Sequence, residues 1–286
     1  MAEFKRIVVI GGAGTMGSGI VQTVAQAGIE VLLFETNLAV AEKGKAKLDK
    51  VLQKLVEKGK VSAEKKQDTL DKIVLCDNYQ SMADADLVIE AVFENIELKK
   101  EIFKQLDEIV KPEAILASNT SALSLTEIAA ATKRPDKVIG LHFFNPVPVM
   151  KLVELVMGLT TSEQTYQAAV SFCEQIGKKS IRAKDTPGFL VNYLQIPLLN
   201  IAVSAYENGL ASAEDIDNAC VLGMNHPMGP LALLDLIGLD TALAVFNVMY
   251  EGTGDLRFRP CTVHKRLVQA GHLGRKSGKG FYTYNQ

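Results

Sequence analysis

The sequence predicts an α/β chain: a mostly parallel, doubly wound sheet domain over residues 1–185, followed by an all-helical domain over 186–286. Three observations carry this reading. Short apolar runs rich in β-branched residues alternate with stretches at helical spacing. A glycine cluster separates the first run from the first helix. After Ile181 the alternation fades and the pattern turns helical.

Ile7-Val8-Val9-Ile10 suits a parallel strand buried on both faces. A helix is expected from Thr15 to Ala27, ended by Gly28, and a second strand at Val31–Phe34. Asn37 can cap a long lysine-rich helix reaching Lys58. Strands follow at Ile73–Leu75 and Leu87–Ile89. A helix over 96–110 carries Ile102, Phe103, Leu106, Ile109 and Val110 on one side. Ala114–Ala117 reads as a strand, and Ser124-Leu125-Thr126-Glu127 as a capping box that starts a helix. Val138–Leu141 reads as a strand delivering His142 to a proline-bracketed loop. Beyond Thr186-Pro187-Gly188, helices are expected over 189–207, 213–222, 231–236 and 241–250. Their apolar character predicts burial against another subunit as well as the first domain.

Composition narrows the classes. The 286 residues are 48% hydrophobic and 22% charged, as in ordinary globular chains. A net charge of −2 gives no field to recruit nucleic acid or anionic lipid. No apolar run approaches the ~20 residues of a membrane span, and the N-terminus lacks a signal peptide's apolar core. Cys76, Cys173, Cys220 and Cys261 are scattered without a C-x-x-C, which predicts reduced thiols, a cytoplasmic setting and no metal site.

Gly12-Ala13-Gly14-Thr15-Met16-Gly17 matches G-x-G-x-x-G between a strand and a helix, the Rossmann-like arrangement. Gly12 is expected to make the tight turn, Gly14 to let backbone N–H groups approach a pyrophosphate, and Gly17 to let helix and strand pack closely. Glu35 ends the next strand, eighteen residues beyond Gly17. A carboxylate there accepts from ribose hydroxyls and repels a 2′-phosphate, so NAD is favoured over NADP. Without the motif, Glu35 would be only an exposed glutamate at a strand end.

His142 and Glu154, twelve residues apart, are the best acid–base pair in the chain. Oxidising a secondary alcohol needs a base for the hydroxyl proton, and histidine titrates near neutrality. A carboxylate on its far ring nitrogen would fix the tautomer. Of the other histidines, His226 reads as a structural loop residue, and His264 and His272 as part of an exposed basic C-terminal stretch.

The chain resembles the L-3-hydroxyacyl-CoA dehydrogenases. The resemblance rests on Gly12–Gly17, Ser118-Asn119-Thr120-Ser121, the run from His142 to Glu154, Lys184-Asp185-Thr186-Pro187-Gly188-Phe189-Leu190-Val191-Asn192, and Pro227-Met228-Gly229-Pro230. The short chain is similar to the bacterial 3-hydroxybutyryl-CoA branch. That resemblance implies His142 as general acid/base oriented by Glu154, with Ser121 and Asn192 placing the substrate. It implies that Glu94, Lys99, Ser121, Asn145 and Lys276 contact NAD beside Gly12, Gly14, Thr15, Met16, Gly17 and Glu35. Lys50 and Lys54, on the lysine-rich helix, would meet the phosphates of coenzyme A. The family's substrate-contacting serine on this helix has no counterpart here. The resemblance further implies a homodimer formed through the helical domain, with the acyl thioester in a cleft between domains.

Other readings fit less well. A 6-phosphogluconate-type dehydrogenase would use a lysine base in a glycine-rich motif that is absent. The polyol or gulonate branch usually reads His-Pro-x-Asn-Pro-Pro where this chain has His-Phe-Phe-Asn-Pro-Val. A non-catalytic NAD-binding protein would not need His142, Glu154, Ser121 and Asn192 together. Arg257, Arg259, Lys265, Arg266, Arg275 and Lys276 lack the stacking aromatics of a nucleic-acid surface.

Overall fold

A computed structural model describes residues 3–284. The chain divides into two compact units, Met1–Asp185 and Thr186–Gln286.

In the first unit, strands β1 (Arg6–Ile10), β2 (Glu30–Phe34), β3 (Ile73–Cys76), β4 (Leu87–Glu90), β5 (Ile115–Ser118), β6 (Val138–Phe143), β7 (Leu152–Met157) and β8 (Lys179–Lys184) form one sheet. Their order is β3-β2-β1-β4-β5-β6-β7-β8. All pairings are parallel except β6 with β7. The order reverses between β1 and β4, the point at which open α/β sheets receive ligands beyond the strands' carboxyl ends. Ile7, Val8, Val9 and Ile10 are buried, as an apolar run covered on both faces requires.

The helices of this unit are α1 (Thr15–Gln26), α2 (Leu38–Glu57), α3 (Ala63–Asp71), α4 (Ile96–Ile109), α5 (Leu125–Ala129) and α6 (Glu163–Gln175). Asn37, Ser62, Asn95, Ser124 and Ser162 cap α2 to α6 through side-chain acceptors. One core cluster joins β1 and β2 to α1, α2 and α6 through residues such as Val9, Val24, Leu33, Leu52 and Phe172.

The second unit holds α7 (Val191–Glu207), α8 (Ala213–Asn218), α9 (Pro230–Ile237), α10 (Leu239–Thr253) and α11 (Thr262–Gln269) around Leu199, Leu234, Phe246 and Phe258. Among the described residues no single helix is long and apolar enough to cross a membrane.

Several expectations need correction. Strand β6 continues through Phe143, so His142 lies within a strand rather than in a loop. Antiparallel pairing with β7 claims these residues for the sheet, with His142 opposite Glu154. The sheet extends past β6 through β7 and β8, joined by α6, beyond the last strand expected from the sequence. β8, with its alternating polar residues, is half exposed at the sheet edge. The helix expected over 213–222 is α-helical only to Asn218 and continues as a single π turn over Ala219–Gly223. His264 is not exposed: α11 buries it completely, its Nε2 2.8 Å from the Leu239 carbonyl and its ring edge-on to Phe246.

Candidate active site

The glycine turn after β1 leads into α1. Gly11, not Gly12, takes the left-handed conformation (φ +76°), so the tight turn falls one residue before the motif. Gly12 is needed for space instead, since a Cβ there would stand 2.8 Å from Leu33 Cγ. At Gly17 a Cβ would strike the backbone of Gly11 and Gly12, which explains the close approach of helix and strand. Gly14 is the N-cap of α1 and supplies no side-chain cap. The first-turn amides, from Thr15, Met16 and Gly17, therefore point out with the helix's partial positive charge behind them. That cradle fits a pyrophosphate.

Glu35 follows β2, half-buried, and its Oε1 accepts from Ala13 N at 2.8 Å. The carboxylate expected to meet the ribose thus also braces the glycine turn. Gly44 on α2 supports the same turn, because a Cβ there would lie 2.6 Å from Ala13 Cβ.

Glu94 and Ser121 come together where β4 and β5 end. Glu94 Oε1 accepts from Ser121 N (2.6 Å), Ser121 Oγ (2.9 Å) and Thr120 Oγ1 (3.1 Å). Lys99, in the first turn of α4, is turned inward rather than toward solvent. It is 1% exposed, with Nζ 2.6 Å from Glu90 Oε1 and 3.5 Å from Glu94 Oε2. Glu90, which lies outside the motifs, joins this network together with the motif residues Ser118 and Thr120: Ser118 Oγ donates to Glu90 Oε2 at 2.6 Å and accepts from Thr120 N at 3.2 Å. Asp185 holds the start of α5, accepting from Ser124 Oγ, Leu125 N and Thr126 N.

His142 Nδ1 lies 2.6 Å from Glu154 Oε2, in a pair almost wholly buried. The Phe144 ring packs at 4.6 Å from the imidazole. Asn119 Oδ1 accepts from Phe143 N at 3.0 Å, tying the end of β6 to the loop after β5. Asn145 is exposed and precedes a cis peptide to Pro146. The following turn is clamped by Lys178, whose Nζ donates to the carbonyls of Val147 and Met150 at 2.6 Å each. Burial pushes this ammonium below the usual lysine range.

Thr15, Lys47, Val51, Asn145 and Val149 are among the residues lining a largely apolar cavity of about 280 Å³ beside α1 and α2. Lys50 and Lys54 are exposed on the same helix as Lys47. In the second unit, Asn192 is half-buried in the first turn of α7. Gly188 (φ +75°) packs there, and a Cβ at this glycine would sit 3.1 Å from Asn192 Cβ. Lys276 is exposed and pairs with Asp240 at 2.6 Å; that pairing holds the aspartate below the usual carboxylate range.

Residues 6–186 match the family model described as 3-hydroxyacyl-CoA dehydrogenase, NAD binding domain, and residues 188–284 match the C-terminal domain of the same family. The chain is 48% identical over 284 residues to the probable 3-hydroxybutyryl-CoA dehydrogenase of Bacillus subtilis, covering 99% of each. It is 50% identical over 275 residues to the 3-hydroxybutyryl-CoA dehydrogenase of Clostridioides difficile, covering 96% of this chain and 98% of that one. The crystal structure of (S)-3-hydroxybutyryl-CoA dehydrogenase from Ralstonia eutropha matches with a TM-score of 0.95 at 45% identity, covering 99% of this chain and all of that one. The glycine cradle and the buried histidine–glutamate pair thus lie in a chain that belongs to the 3-hydroxyacyl-CoA dehydrogenase family, its first unit being that family's NAD-binding domain.

Proposed function

We propose that this enzyme interconverts (S)-3-hydroxybutyryl-CoA and acetoacetyl-CoA with NAD(H), and that His142 is its general acid/base. The observation that carries the reading is the His142–Glu154 pair on adjacent strands, in the same unit as the glycine cradle. Glu154 holds a proton on Nδ1, so the proton exchanged with substrate moves at Nε2. NAD, held by the glycine turn and Glu35, would supply the hydride acceptor for C3 of the alcohol. As the carbonyl forms, the hydroxyl proton passes to His142 Nε2, and Glu154 stabilises the resulting imidazolium. The reverse reaction returns that proton to the alkoxide oxygen.

Ser121 and Asn192 would place the substrate, Ser121 Oγ accepting from the reacting hydroxyl while its own proton goes to Glu94, and the Asn192 amide donating to the reacting oxygen or the thioester carbonyl. Glu35, Glu94, Lys99, Asn145 and Lys276 would position the cofactor together with the glycine turn. Lys99 would act through its ion pair rather than as an exposed cation. Lys50 and Lys54 would meet the coenzyme A phosphates, and the cavity lined by Lys47, Val51 and Val149 suits an apolar portion of the pantetheine arm. The polyol alternative is disfavoured by the 3-hydroxybutyryl-CoA dehydrogenase relatives.

Leu194, Leu198 and Ile201 lie exposed at helical spacing on α7, and we assign this face to a homodimer contact. The free cysteines fit a reducing compartment such as the cytoplasm. The reaction is tested by following NADH absorbance with acetoacetyl-CoA. Rapid loss with NADH and slow loss with NADPH is the expected result. A folded enzyme that turns over neither cofactor with this substrate contradicts the reading.

A further inference from the structure

Behind Ser121 lies a charge network whose deepest member the mechanism does not use. Glu90 ends β4, directly across from Ile10 of β1 and Ser118 of β5, and its side chain is fully buried. Its Oε1 accepts from Val92 N at 2.7 Å and Lys99 Nζ at 2.6 Å, and its Oε2 accepts from Ser118 Oγ at 2.6 Å. On the other side of Lys99, at 3.5 Å, stands Glu94, whose Oε1 holds the Ser121 amide and hydroxyl.

Two carboxylates therefore face one buried ammonium. A buried cation without a close partner is costly, so it is drawn to whichever carboxylate remains. The distances show that Glu90 holds it and that Glu94 keeps its orientation toward Ser121. We propose that Glu90 is a positioning residue: by retaining the Lys99 ammonium it prevents Glu94 from closing onto Lys99, and so keeps the Ser121 hydroxyl aimed for substrate. The inference rests on the substrate-placing role of Ser121 given above.

Glu90→Gln tests it. The amide oxygen can still accept from Val92 N and Lys99, but the charge is gone, so Lys99 draws Glu94 away from Ser121. In the wild-type background kcat falls about tenfold, the size of one lost hydrogen bond in the transition state. In the Ser121→Ala background the same change costs less than about twofold, because there is no hydroxyl left to misplace. Equal losses in both backgrounds would mean that Glu90 serves the fold alone, and would overturn the proposal.

A crystal structure of the Glu90→Gln variant gives a readout independent of turnover. The Lys99–Glu94 separation should shorten to about 3 Å or less, and Glu94 should move beyond about 3.5 Å from Ser121 Oγ. An unmoved Glu94 overturns the proposal even in an active enzyme. A moved Glu94 in a protein whose wild type does not act on acetoacetyl-CoA keeps the positioning device and removes the proposed reaction. If Glu90→Gln does not fold, Glu90→Asp withdraws the carboxylate from Lys99 while keeping its charge, and the same measurements apply.

Discussion

His142 and Glu154 face each other across the single antiparallel pairing of the sheet, and their side chains meet at 2.6 Å. Cross-strand neighbours on one face stand close enough for direct contact, so the register itself sets the geometry of the pair. Two strands whose backbones are locked to one another hold an acid–base pair more rigidly than a loop would.

Glu154→Gln should leave the strands intact while removing the charge that stabilises the imidazolium. We expect kcat to fall by roughly 100-fold, with KM for acetoacetyl-CoA changed by less than about threefold. Steady-state kinetics in both directions checks this. A large KM effect with little change in kcat would show that Glu154 serves binding rather than proton transfer.

Glu35→Gln separates the contact that braces the glycine turn from the role in cofactor choice proposed for this residue. The amide oxygen can still accept from Ala13 N, but no longer repels a 2′-phosphate. The kcat/KM ratio for NADPH over NADH should rise by about tenfold, as expected for one charge acting near the surface. An unchanged ratio would remove Glu35 from cofactor discrimination.

At Gly44 two effects oppose one another. Alanine in a helix interior gains up to ~1 kcal/mol over glycine. The added methyl would lie 2.6 Å from Ala13 Cβ and 2.9 Å from its Cα, neither of which can swing aside, and such overpacking costs about 1–3 kcal/mol. Gly44→Ala should therefore lower the melting temperature and raise KM for NADH. Gly223→Ala, where a Cβ meets nothing within 4 Å, is the control with no packing penalty.

Burial holds the His264 imidazole below the ordinary histidine range, only partly offset by its hydrogen bond to the Leu239 carbonyl. Among the described residues its Nδ1 has no hydrogen-bond partner, so the folded chain favours the neutral ring. The unfolded chain takes up this proton near the ordinary value of about 6.5. The stabilisation is therefore complete above that pH and is lost as pH falls toward the depressed folded value. The urea midpoint should drop between pH 7 and 5, and His264→Gln should flatten that slope. An unchanged slope would mean that other groups carry it.

Much of the fold was legible because local signals agreed. The β1 run, the glycine turn and the capped helices α2, α4 and α5 each pair an apolar pattern with a boundary residue. The sheet's far edge was not legible, because β8 reads Lys-Ser-Ile-Arg-Ala-Lys and is half exposed, which leaves no apolar run. Ser62 and Ser162, the caps of α3 and α6, carry the same kind of boundary signal. His264 was misjudged because Lys265 and Arg266 beside it suggested solvent, although Val263, Leu267 and Val268 mark a packed face of α11. Within the site, His142, Glu154 and Ser121 stand out through their motifs, and Glu94 only through the family resemblance. Glu90 does not, since a glutamate at a strand end carries no sign that a lysine nine residues on will bury itself against it.

The most direct test compares wild type with His142→Gln in NADH oxidation by acetoacetyl-CoA, with folding verified by circular dichroism. The proposed mechanism predicts rapid oxidation by wild type and a loss of at least ~100-fold in the variant, with NADH binding retained. Equal rates in the two proteins would contradict the assignment of His142 as the acid/base.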